Sequence, residues 1–119
     1  MTTKCLLVCK NDFMAAGVKA LLAEQTDLEL TMIGAFSEKE LAQVIEILQP
    51  DTVILDEEVC EVLPANSWRL LREVNDLQVI IFNQKNNVLR MYQNEWSGKA
   101  RVQDLGTVIR SRGSHSQFS

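Results

Sequence analysis

The chain is poor in the side chains that most often carry chemistry. Its one histidine, His115, lies in a polar C-terminal stretch. Neither a histidine-based catalytic constellation nor a histidine-rich metal site can be assembled from it. The three cysteines, Cys5, Cys9 and Cys60, are odd in number and lack metal-ligand spacing, so they read as reduced thiols. A basic excess is also missing. Twelve Lys and Arg against sixteen Asp and Glu give a net charge of -4 and a pI near 5.0. That balance argues against a nucleic-acid surface. There is no apolar run long enough to span a bilayer and no signal-peptide pattern at the start. No membrane partner is expected, and the expectation is a soluble, cytoplasmic protein. Internal repeats and low-complexity segments are absent.

What remains is an ordinary globular composition, 46% hydrophobic and 24% charged over 119 residues. That length suffices for one domain with a real core and is too short for two. A single domain over 1–112 is expected, with 113–119 a polar, frayed tail.

The most informative stretch is Pro50-Asp51-Thr52-Val53-Ile54-Leu55-Asp56. Pro50 stops a preceding helix. Val53, Ile54 and Leu55 are consecutive and apolar, as expected of a strand buried on both faces. Asp56 then falls at the carboxyl end of a central parallel strand, where open α/β sheets place their ligands. The plainer alternative is that Asp56 starts a loop or caps the next segment.

Cys5-Leu6-Leu7-Val8-Cys9 is a second continuous apolar run and a second buried strand. After the break at Lys10, Asn11 and Asp12, the positions Met14, Val18, Leu21 and Leu22 recur at helical spacing. Leu28, Leu30 and Met32 alternate with Glu29 and Thr31, which predicts an edge strand with one wet face. Ser37 and Glu40 form a capping-box pattern ahead of the stripe Leu41, Val44, Ile45 and Leu48. Glu57 to Pro64 reads as a loop, Ser67 to Val74 as a short helix, and Leu77 to Phe82 as another buried strand. The order β-α-β-α-β-α-β implies a parallel sheet covered on both faces.

Then the rhythm breaks. Only Asn83 to Asn87 separate Phe82 from Val88, whereas a parallel crossover needs about a dozen residues. A five-residue connection containing Asn86-Asn87 suits a hairpin. Residues 88–96 are therefore expected to form an antiparallel edge strand, broken by Ser97-Gly98. Val102, Leu105, Val108 and Ile109 mark a final helix, weakened by Gly106.

Leu6-Leu7-Val8, Gly17-Val18-Lys19-Ala20-Leu21-Leu22, Asp27-Leu28-Glu29-Leu30 and the Pro50–Asp56 stretch follow one another in an order that resembles a CheY-like response-regulator receiver domain. The resemblance covers residues 4 to 83. It implies an α/β fold with a doubly wound, mostly parallel five-stranded sheet, flavodoxin/CheY-like, of strand order 2-1-3-4-5. Here the fourth helix is missing and the last strand is antiparallel. It makes Asp56 the phosphoacceptor equivalent. The family's acidic pair falls on Cys9 and Lys10, and its switch hydroxyl on Asn83. Lys85 and Lys99 are candidates for its lysine.

Those replacements bear on the chemistry. Phosphoryl transfer to a carboxylate needs Mg²⁺ to offset charge, and Mg²⁺ takes hard oxygen ligands. Cys9 offers none and Lys10 repels the ion, so the Mg²⁺ site is expected to be lost. The expected function is that of a degenerate receiver. It is a non-enzymatic signalling module of a two-component phosphorelay, without an output domain and binding a protein partner without phosphorylation. Two alternatives stand beside it: a working phosphoacceptor at Asp56, and a redox sensor at the Cys9 thiol. With the fourth helix gone, Leu89, Met91, Tyr92 and Trp96 are expected at an uncovered apolar face, which predicts a two-fold homodimer through 88–96. The plainer alternative is that the final helix or the tail folds over this face, leaving a monomer.

Overall fold

The computed structural model describes residues 3–9, 12–23, 28–33, 38–62, 71, 77–83, 85–93 and 96–110. Six strands and four helices follow in order: β1 (Thr3–Val8), α1 (Asp12–Leu22), β2 (Leu28–Ile33), α2 (Glu38–Leu48), β3 (Thr52–Asp56), α3 (Glu57–Val62), β4 (Gln78–Asn83), β5 (Val88–Gln93), β6 (Trp96–Arg101) and α4 (Leu105–Arg110). A short 3-10 turn, Val102–Asp104, leads into α4.

The strands form one sheet of order β2-β1-β3-β4-β5-β6. The first four are parallel to their neighbours, and β5 and β6 run antiparallel in turn. The continuous apolar runs are the strands buried on both faces. Every residue of β3 is buried, as are the first five of β4. By contrast β2, whose sequence alternates, is the half-exposed outer strand. Between β4 and β5 there is a turn, with Asn87 in the left-handed region at φ 56°, as asparagine tolerates.

Strand alternation divides the core in two. On one face Leu7, Ile54, Ile80, Phe82, Leu89 and Met91 pack with Val18 and Leu22 of α1 and with Leu105, Val108 and Ile109 of α4. On the other, Leu6, Val8, Val53, Leu55, Val79 and Ile81 pack with Leu41 and Ile45 of α2, Val59 of α3 and Leu71. Helix α2 ends because Gln49 turns into the left-handed region (φ 49°) while its amide still donates to the Ile45 carbonyl at 2.9 Å. Pro50 follows and cannot continue the helix.

Three expectations need correction. The sheet has six strands, not five. Residues 96–101 are a strand because Ser97 and Gly98 stay in register opposite Tyr92 and Met91. Residues 57–62, expected to be a loop, form α3. Leu89 and Met91, expected at an open apolar face, are both 0% exposed, because α4 folds back over them. The expected helix at 67–74 lies outside the described residues except for Leu71, which is helical and buried. The tail 113–119 lies outside them entirely.

Candidate functional site

Parallel pairing brings the carboxyl ends of β1, β3 and β4 to one edge of the sheet. Val8 stands opposite Leu55, and Asp56 opposite Phe82. Cys9, Asp56 and Asn83 therefore gather there, as expected from the sequence. Lys10 lies outside the described residues.

Asp56 is 3% exposed. By alternation it shares the face of Ile54, the face of the core that also contains Cys9 and Phe82. Its Oδ1 accepts the backbone N–H of Glu58 at 3.1 Å. Asp56 directly precedes α3, so this is the bond of an N-cap residue, satisfying an amide that the helix cannot use itself. Burial pushes the Asp56 carboxyl above the ordinary aspartate range. The amide bonds from Glu58 and Glu57 oppose that rise, and the charges of Glu58 and Glu57 add to it. Capping and an apolar setting thus pull the acid in opposite directions, and burial prevails.

Among the described residues, the cation that reaches this edge, Arg90, turns to Glu57. Arg90 of β5 donates Nη2 to Glu57 Oε1 at 3.2 Å. The Asn83 amide donates to the other oxygen of Glu57. Asn83 Oδ1 accepts the backbone N–H of Asn86 at 3.1 Å, closing the turn before β5. Glu57 is thus the hub that ties α3, the end of β4 and β5 together. Asn83 shares the face of Ile81, opposite to that of Asp56, and its hydrogen bonds run to Glu57 and Asn86. This hub leaves no local trace in sequence, because Arg90 meets Glu57 only through pairing 33 residues apart.

Of the lysine candidates, Lys85 is an exposed turn residue. Lys99 stands opposite Arg90 on β6. Phe82 and Leu89 intervene in register between Asp56 and that strand. With strands about 4.8 Å apart, Lys99 lies roughly 14 Å from Asp56 and on the other face. It is not a partner for the acid.

Cys9 is 6% exposed, and its amide donates to the Ile33 carbonyl at 3.2 Å. Among the described residues no group of three or more His, Cys, Asp or Glu is arranged to hold a metal ion, and no helix is long and apolar enough to cross a membrane. Compared with known proteins, the chain matches no family model, no curated protein and no solved structure.

Proposed function

We propose that this chain is a degenerate, receiver-like signalling domain that works in the cytoplasm through protein contacts, without phosphorylation and without enzymatic activity. The observation that carries the reading is the state of Asp56. It sits at the carboxyl end of a central parallel strand, where this architecture puts its reactive groups, yet it is buried and used as a helix cap. A phosphoacceptor must be ionised and must have cationic help to receive an anionic group. Here burial and two neighbouring glutamates favour the protonated acid, and Arg90 is committed to Glu57. The same features weigh against a working phosphoacceptor. The burial of Cys9 weighs against a redox sensor, since reactive thiols are accessible and electropositively placed.

The test is intact-mass measurement after incubation with acetyl phosphate and Mg²⁺, wild type beside Asp56→Asn. The expected result is no adduct on either protein. A stoichiometric phosphate adduct on wild type, lost in Asp56→Asn, overturns the reading.

A further inference from the structure

Helix α4 is tied to the sheet differently from the other three helices. Each of those runs between two strands, whereas α4 follows the last described strand, β6, through the 3-10 turn Val102–Asp104. Its grip includes the buried side chains of Leu105, Val108 and Ile109, which pack with Leu89 and Met91 of β5 and with Val18 and Leu22 of α1. A helix of six residues does not persist alone in water, and Gly106 lowers its helical preference further. Helix α4 is therefore helical because it is seated, and once lifted it unravels in one piece.

Its two ends are held by different kinds of bond. At the start, the Arg101 N–H donates to Asp104 Oδ2 at 3.4 Å and the Val102 N–H to Asn87 Oδ1 at 3.3 Å. Both bonds are exposed, so water replaces them with little loss. At the far end, Gln78 Nε2 donates to the Val108 carbonyl at 3.0 Å. That bond stands in a polar row. Register puts Thr52, Gln78 and Gln93 side by side across β3, β4 and β5. All three are buried, on the face of Ile54, Ile80 and Met91. An amide or hydroxyl uncovered there takes up water, whereas an uncovered leucine cannot. The ladder bonds of the sheet do not depend on α4.

We infer that α4 and its 3-10 lead-in form a detachable strap, which lifts from the sheet as a unit while the six strands stay paired and so uncovers the apolar face at Leu89 and Met91. The hinge is Val102–Asp104, and the catch is the Gln78 amide. Returning Leu89, Met91, Leu105, Val108 and Ile109 to water is unfavourable, so the closed state dominates. The hinge and the catch are solvated on opening, which keeps its cost below that of unfolding the whole chain. The strap thus sets how often an apolar surface is displayed. This inference is independent of how Asp56 is read.

Native-state hydrogen exchange on the full chain, at rising urea below the unfolding transition, tests it. In wild type the α4 amides are expected to exchange at least about tenfold faster than those of β3. Their rates should stay nearly flat in urea, because lifting a strap exposes little surface and unfolding the chain exposes much. Peroxide oxidation separates lifting from unwinding in place. Met91, 0% exposed, becomes a sulfoxide only when the sheet face opens, and Met32, 43% exposed, is the reference. Met91 is expected to react faster than global unfolding allows. Asn87→Gly removes the hinge acceptor while relieving the backbone at that turn. It is expected to speed exchange in α4 and oxidation of Met91 by about threefold to tenfold, leaving β3 and Met32 unchanged. Exchange in α4 as slow as in β3, with the same rise in urea, overturns the proposal. So does Met91 oxidation no faster than global unfolding, or an Asn87→Gly variant in which α4 and Met91 respond no more than β3.

Discussion

Gln78 donates Nε2 to the carbonyl oxygen of Val108 at 3.0 Å, joining β4 to α4 across 30 residues of chain. The acceptor belongs to the last turn of a six-residue helix. Gln78 is 4% exposed, and its Oε1 accepts the Thr52 hydroxyl at 2.9 Å. One amide thus satisfies two buried groups and pins the helix that covers Leu89 and Met91.

Replacing Gln78 by leucine keeps the volume and removes both of these hydrogen bonds. Each buried polar group left unpaired costs about 1–3 kcal/mol. Gln78→Leu is expected to destabilise by about 2–4 kcal/mol in urea unfolding. Thr52→Val is expected to cost about 1 kcal/mol. The double variant should cost less than the sum, because the hydroxyl it removes was already unpaired. Strict additivity would refute the relay.

The raised pKa of Asp56 fixes the sign of a pH effect. A carboxyl that holds its proton more tightly when folded stabilises the fold below its unfolded pKa. That contribution is lost as pH rises through the higher folded value. Asp56→Asn keeps an oxygen for the Glu58 amide and removes the charge. It is expected to melt higher than wild type at pH 7, with the gap shrinking as pH falls toward about 4, the unfolded aspartate range. A variant less stable than wild type at pH 7 would mean that the ionised cap outweighs its burial.

Gln49 and Asn87 both have positive φ and should answer glycine differently. The side chain of Gln49 is exposed, and a left-handed backbone costs a non-glycine residue about 1–2 kcal/mol. Gln49→Gly is therefore expected to stabilise by about 0.5–1 kcal/mol. Asn87 Oδ1 accepts the Val102 amide at 3.3 Å, so Asn87→Gly gives up a bond as it relieves the backbone, and a change within about 0.5 kcal/mol is expected. Asn87→Ala loses both advantages and is expected to cost about 1–2 kcal/mol. Chemical denaturation of the three variants checks the order.

Glu57 joins Asn83 and Arg90 in a half-exposed setting, where ion pairs contribute about 0–1 kcal/mol. Glu57→Ala is expected to cost no more than about 1 kcal/mol in global stability. Its effect should instead be local. Amide exchange at Asn86, held by Asn83 Oδ1, should speed up while exchange in β3 stays unchanged. Equal acceleration at both sites would deny the hub a local role.

Much of the fold was legible because burial leaves a direct trace in sequence. Runs such as Val53-Ile54-Leu55 have no wet face, and the alternation of β2 marks one. The shortness of Asn83–Asn87 forced the turn to antiparallel pairing. Strand β6 was missed because Ser97, Gly98 and Lys99 carry the composition of a turn, and only their partners Tyr92, Met91 and Arg90 make them a strand. Helix α3 was missed because its first turn is Glu57-Glu58, which reads as an acidic loop until the Asp56 cap is seen. The position of Asp56 was legible. Its burial was not, because Cys9 and Phe82, which share its face of the core, are distant from it in sequence.

The turn between β4 and β5 also bears on how the chain folds. Pairing β1 with β2 or β3 requires closing long crossovers, which is slow. The strands β4, β5 and β6 meet across two short connections, and hairpins of that kind form in about 1–10 μs. The last third of the chain can therefore pair before the first two-thirds, presenting β4 as a ready template on which β3 docks. Pulse-labelling exchange during refolding should find the amides shared by β4 and β5 protected ahead of those shared by β1 and β2.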